Sequence, residues 1–543
     1  MAKSKMFTAQ TIKRFTSVHS WVGIVTGMAL FIAFFAGALT MYAGSMHLWA
    51  NPALRQSSGS MAQVQTLVDA VGAHRASKGN FSVAFGQDGR PVASFFEGGT
   101  GRTFQRHTRV IDDQSAVVPR KTVSGIEHFI NGIHYTMGLP KYPGYTLMGI
   151  VSAVYFLALV TGVLIHLPHM MADLYALRTG RNLKKMWLDA HNAIGILSLP
   201  FHIMFAFTGF LICLFFLLTP VMEKIMPTTD ASAAYQQGGG RRGGGRDEAS
   251  SPAARMMPAS QTIAIATGRV DGLEPTGISY SGYGTTSAKA TVKGHFPTAL
   301  AATGSVEISP VSGTILKVDV PGARSTARVL EQGYLFLHYG DYGGQVIRAA
   351  YFILGLGGAF LFYSGNLLWI ETRRKRRHAE QMMTGWVMAK VTVGICLGCC
   401  LGIAVALWGT RLLAAELADR GKWEGNLYYI GFFAAVMWAT ARPPIRAAIE
   451  ILFACAAAYA ALPLLNALLT HENLFYALRH GLWDVAVIDV LLGTLGIGFF
   501  AMGRATLRRA SNGQPNSVWS LTSRPVEPRT APAAISQPDE ALA

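Results

Sequence analysis

The chain has 543 residues, of which 51% are hydrophobic and only 14% charged, and its mean hydropathy is +0.30. Soluble domains carry about 25% charged residues, so the balance excludes an ordinary soluble domain and indicates an integral membrane protein. The formal net charge of +17 suggests a nucleic-acid partner, but many of the basic residues sit in loops between apolar runs, which argues against that class and for orientation in a lipid bilayer.

The chain opens MAKSKMFTAQTIKRF, and no small-residue cleavage site follows the first apolar run, so that run reads as a retained signal anchor. Eight apolar segments are expected to span: residues 18–42, 145–166, 193–218, 349–370, 386–408, 427–441, 451–469 and 485–502. The sixth is short for a span of about 20 residues, and the seventh contains Pro463. Lys and Arg gather before segment one, between two and three, after four, between six and seven, and after eight. With eight spans these loops share one side, which places both termini in the cytoplasm of a bacterial inner membrane.

Two long loops, 43–144 and 219–345, then lie outside. The first opens with a helical pattern, MAQVQTLVDAVGAHRAS, followed by the strand-like runs FSVAFGQ, PVASFFE and TFQRHTRVIDD. The second passes through the flexible linker GGGRRGGGRDEASSPAARMMPAS and repeats the scheme with SQTIAIATGRV, GISYSG, SAKATVKG, SVEISP and GTILKVDV. The tail from residue 510 is rich in Ser, Pro and Thr and reads as disordered.

An internal repeat underlies this plan. His19, Gly23 and Gly37 recur as His191, Gly195 and Gly209; His134–Tyr135 recurs as His338–Tyr339; Thr161–Gly162 matches Ser364–Gly365. Equivalent segments run in the same direction, so the first four are expected to form a pseudo-two-fold four-helix bundle, with four helices appended. The stretch 188–218 reads as one helix carrying His191 and His202. Eleven residues rise about 16.5 Å and complete nearly three turns, so both imidazoles face one way at two depths. A ring this deep needs a partner, and two stacked hemes would provide one for each.

The segments KRFTSVHSWVGIVTGMALFIAFFAGAL, GIHYTMGLPKYPGYTLMGIVSAVYFLALVTGVLIH, DAHNAIGILSLPFHIMFAFTGF and LHYGDYGGQVIRAAYFILGLGGAFLFYSGNLLWIETRR resemble the PepSY-associated transmembrane family of PiuB-type proteins, which includes inner-membrane siderophore reductases. The outer loops look like PepSY modules, with turns at IDDQSA and ISPVSGT. The resemblance covers roughly residues 10–375. It implies an all-α polytopic membrane protein with two small α+β extracytoplasmic domains, heme b as cofactor, heme ligands at His19, His191, His134 and His338, and a ferric siderophore as substrate. His166 departs from the repeat, standing where the second half has Trp369.

On this reading His191 and His202 each share an iron with a histidine from another segment. His19 is the natural inner partner; His134 and His338 hold an outer heme together, or one of them pairs with His202. The simpler alternative is that interfacial histidines only bond headgroups or carbonyls. His166, His169 and His378 read as interfacial anchors, and His47, His74, His107, His128 and His295 as loop residues. Cys396-x-x-Cys399-Cys400 lies within an apolar segment with no basic neighbour and reads as helix packing. Asp489 is a candidate proton- or quinone-path carboxylate. No nucleotide-binding motif is present, so electrons would come from a cytoplasmic reductase or membrane quinol. The alternatives are a non-enzymatic anchor that binds a partner through its PepSY-like loops, and a proton-coupled siderophore permease using Asp489.

Overall fold

The computed structural model describes residues 8–55, 60–74, 79–85, 91–98, 104–111, 116–119, 123–167, 183–225, 251–296, 303–324, 326–340, 342–374, 383–514 and 516–522. Helix α1 (Ala9–Thr40) begins where the Thr8 hydroxyl accepts from the Thr11 amide. α2 (Ala43–Ala50) follows. α3 (Met61–Gly72) is closed at its start by a capping box, in which the Ser60 hydroxyl accepts from the Gln63 amide and the Gln63 carbonyl oxygen from the Ser60 amide. Strands β1 (Phe81–Phe85), β2 (Pro91–Gly98), β3 (Phe104–Ile111) and β4 (Val117–Pro119) lead to α4 (Ile126–Thr136) and α5 (Lys141–His166).

The second repeat contains α6 (Leu183–Leu197), α7 (Leu199–Ile225), α8 (Ala259–Arg269), β5 (Glu274–Ser281), β6 (Lys289–His295), β7 (Thr303–Ile308), β8 (Ile315–Asp319), α9 (Thr326–Tyr339) and α10 (Gly344–Thr372). The remaining helices are α11 (Met383–Leu412), α12 (Arg420–Ala441), α13 (Pro444–Thr470), α14 (Leu474–Arg479) and α15 (Trp483–Ser511).

The molecule is a multi-pass membrane protein with a separate antiparallel sheet. Among the described residues six helices, α1, α5, α10, α11, α13 and α15, are long and apolar enough to cross a bilayer, and the pair α6–α7 would make a seventh. Eight were expected. The sixth expected segment does form a helix, α12, but Arg420, Lys422 and Glu424 occupy its first two turns, and it falls outside the set with a membrane-wide apolar stretch.

The expected continuous helix through 188–218 is corrected. α6 and α7 meet at 72°, because Pro200 lacks an amide hydrogen and its ring crowds the carbonyl of Ile196. His191 and His202 therefore lie on different helices, and a helical-wheel relation between them does not hold.

The bundle is built by α1 lying against α5 and α10, α5 against α7, and α6 against α10. Leu30, Phe31, Phe34, Leu39, Tyr155 and Leu367 fill its core. The appended helices pack on one another through small residues. A Cβ on Gly402 of α11 would come within 2.8 Å of the Tyr428 carbonyl oxygen on α12, so the two backbones touch there. Cys396, Cys399, Cys400 and Cys455 are buried in this region. Residues 516–522, expected within the disordered tail, fold back: Ser517 and Val518 are buried, and Arg374 donates to Gln514 and Asn516.

The two α+β modules expected outside the bundle share one eight-stranded sheet of order β4-β3-β2-β1-β5-β6-β7-β8. Its central seam pairs the first strand of each repeat, with Phe81 opposite Tyr280 and Ser82 opposite Ser279. Separate four-stranded modules would each leave that strand as a bare edge, and the seam satisfies both. Phe81, Val83, Phe95, Ile278, Tyr280 and Val292 form the buried face under Val64, Leu67 and Val68 of α3 and Ala259, Ile263 and Ala266 of α8.

Candidate cofactor site

Four of the five histidines singled out above come together as two pairs at opposite ends of the bundle. At one end the His19 ring of α1 meets the His191 ring of α6, with centroids 6.2 Å apart and planes at 78°. His19 Nδ1 lies 2.9 Å from the Ala158 carbonyl oxygen on α5, and His191 Nδ1 lies 3.1 Å from the Leu361 carbonyl oxygen on α10. A carbonyl only accepts, so each Nδ1 carries the proton and donates. Nε2 is left as a bare lone pair in both rings.

Each ring is seated on a glycine. A Cβ at Gly162 would come within 3.1 Å of His19 Cε1, and one at Gly365 within 3.2 Å of His191 Cε1. These are the glycines of the repeated Thr161–Gly162 and Ser364–Gly365 pairs, so the repeat encodes the seats as well as the rings.

At the other end His134 of α4 and His338 of α9 stand with ring centroids 6.1 Å apart and planes at 43°. His134 Nδ1 donates to the Ala33 carbonyl oxygen at 2.7 Å, and a Cβ on Gly37 would lie 2.6 Å from that nitrogen. His338 is held differently, with Nδ1 2.8 Å from the Thr208 hydroxyl. That hydroxyl gives its single hydrogen to the Met204 carbonyl at 2.7 Å, so it accepts from His338 Nδ1. All four rings thus keep Nε2 free, by three backbone carbonyls and one threonine.

Such a donor set fits an iron porphyrin. A bond of about 2.0–2.1 Å to each imidazole nitrogen, with the ring centre about 1.1 Å beyond it, separates the centres of two rings on one metal by about 6 Å. Both pairs have that separation. Among the described residues no group of three or more His, Cys, Asp or Glu is placed to hold a bare metal ion, whereas two axial imidazoles suffice when a macrocycle fills the equatorial positions. A cavity of about 120 Å³ adjoins His19 and His191, and one of about 350 Å³ adjoins His134 and His338 beside Gly37 and Gly209.

His202 has a different partner from the one expected. It is fully buried, its Nδ1 lies 2.5 Å from the Tyr155 hydroxyl, and its Nε2 has no hydrogen-bond partner among the described residues. Its ring neighbours among the described residues are Phe34, Tyr155, Phe201 and Phe362. Tyr155 lines both cavities and His202 the smaller one, so this pair stands between the two imidazole pairs. Sequence reading did not single out Tyr155 or Thr208, because neither belongs to a repeated motif.

Of the other candidates, His47 and Asp489 have structural partners. His166 lines the smaller cavity at the end of α5, and His47 bonds Glu127 at 2.9 Å. His169 and His378 lie outside the described residues. Asp489 accepts from Trp49 Nε1 at 2.8 Å and from Asn466 Nδ2 at 3.1 Å. Arg411 stacks 3.9 Å over the Trp49 ring. These contacts make Asp489 part of a latch between α2 and the appended helices.

The family model described as the PepSY-associated TM region matches residues 16–372. The uncharacterized protein PA4219 of Pseudomonas aeruginosa is 25% identical over 319 residues, which cover 56% of this chain and 77% of the relative.

Proposed function

The chain belongs to the PepSY-associated TM family, and on that footing we propose that it is a transmembrane oxidoreductase that passes electrons through two b-type hemes to a ferric siderophore. The observation that carries this reading is the two imidazole pairs, 6.2 and 6.1 Å between ring centres, at opposite ends of one bundle. Bound heme would supply reversible one-electron iron chemistry at each pair.

The chain's own part is ligation and exclusion of water. His19 and His191 hold the inner group, and His134 and His338 the outer. The carbonyls of Ala158, Leu361 and Ala33 and the Thr208 hydroxyl fix the tautomer that leaves Nε2 for iron. Phe34, Phe201 and Phe362 surround the space between with apolar surface. The sheet-bearing loops and the His134–His338 end face the periplasm. Both termini are cytoplasmic, which requires the shorter α12 to cross as well. Electrons enter from membrane quinol or a cytoplasmic reductase. Reduction to Fe(II) weakens the hold of hard oxygen ligands, so release follows from the metal's change of character.

An absorbance spectrum of the purified full-length protein, before and after dithionite, tests the reading. A Soret band with sharp reduced α and β bands is expected, with two hemes per chain. A correctly folded but colourless preparation refutes it.

A further inference from the structure

A third cavity, of about 370 Å³, shares Thr40, Met41 and Tyr339 with the cavity that adjoins His134 and His338. Its remaining wall includes Arg348, Asp484, Ser45 and Tyr42. The two charged groups are not paired with each other. Asp484 accepts a hydrogen bond of 2.6 Å from the Ser45 hydroxyl, whereas Arg348, half-buried near the start of α10, makes no ion pair or hydrogen bond among the described residues.

Its position makes this unusual. An arginine near the start of a helix gains nothing from the dipole, which favours cations at the C-terminal end. α10 offers no compensation, because it has no acidic residue in its first turn and no side-chain cap. A half-buried guanidinium without a partner among the described residues is stabilised by an anion.

We propose that this cavity binds a negatively charged iron chelate, with Arg348 as its carboxylate anchor and Asp484 and the nearby hydroxyls facing the chelator's polar donors. The proposal rests on the function proposed above and names where the acceptor sits. One electron delivered at the outer end converts the bound Fe(III) chelate to the Fe(II) chelate, with no proton or ligand transferred. The shared wall with the His134–His338 cavity keeps that transfer short. A porphyrin propionate is the other carboxylate that could reach Arg348, and the test separates the two.

Gallium(III) citrate, a redox-inert anionic stand-in for the ferric chelate, is titrated into the full-length protein in detergent by calorimetry. Saturable binding is expected, weakened about ten-fold or more in R348Q and only partly in R348K, as for loss of a hydrogen bond to a charged group. Absence of binding to the unsubstituted protein, or equal binding by R348Q, overturns the proposal. Heme content and the reduced spectrum of R348Q are expected to be unchanged; loss of the outer heme signal would assign Arg348 to a propionate and also overturn it. Gallium binding by a protein that purifies without heme would leave this site standing while removing the reading it rests on.

Discussion

The two imidazole pairs look alike in separation and differ in how they are held. At the inner pair both tethers are backbone carbonyls at equivalent places, Ala158 and Leu361, and both seats are equivalent glycines. At the outer pair one tether is a carbonyl and the other a threonine hydroxyl, and the adjoining space is larger, about 350 against 120 Å³. On the proposed function the symmetric end would relay electrons and the asymmetric end would meet the substrate.

Removing a ligand is the most severe way to probe that contrast. His191→Ala and His338→Ala are each expected to lose one of the two hemes, measured as heme per chain, and to leave the other pair's bands in place. Loss of both hemes from either variant would mean that the two ends are not independent.

The glycine seats give a graded series. Gly37→Ala puts a Cβ 2.6 Å from His134 Nδ1, whereas Gly209→Ala puts one 3.8 Å from His338 Cε1. Overpacking of the first kind costs about 1–3 kcal/mol, so Gly37→Ala should displace the ring and lower outer heme occupancy, while Gly209→Ala should bind heme normally. Equal behaviour of the two would show that the rings are not seated as described.

Thr208→Val tests the asymmetric tether. It removes the acceptor of His338 Nδ1 and should weaken outer heme binding by about 10- to 100-fold, the usual effect of losing a group that orients a ligand. The inner bands serve as an internal control.

The smallest effect on cofactor is expected at the pair between. Tyr155→Phe strands the buried His202 Nδ1 and should cost about 1–3 kcal/mol of stability, read as a lower unfolding temperature with two hemes retained. Loss of a heme in this variant would return His202 to the set of ligands.

The histidines and their glycines were legible because the chain states them twice. His19 with His191, His134 with His338 and Gly162 with Gly365 are visible as a repeat before any fold is known, and a repeat implies equivalent placement. The proline at 200 stands in the sequence, but the reading of 188–218 as one helix passed over it, and the inferred shared face of His191 and His202 fell with that helix. Contacts between distant segments left no such trace. Nothing local marks Tyr155 as the partner of His202, or β1 as the neighbour of β5, because those pairings are decided only when helices and strands far apart in the chain are brought together. The sixth segment differs for a simpler reason: α12 begins at Arg420, ahead of the apolar run, and its first turns carry the buried Arg420–Glu424 ion pair, a contact no local pattern announces.

The seam of the sheet carries a lesson about origin and assembly. Phe81 faces Tyr280 while the neighbouring Ser82 faces Ser279, the register by which two copies of one strand meet across a dyad. Two separate chains, each a single repeat, could have closed the same sheet as a symmetric dimer, and fusing them would have preserved the contact while freeing each copy to diverge. In the present polypeptide β1 precedes its mate β5 by nearly 200 residues, so the seam is a contact of long sequence separation that closes only after the second copy has emerged.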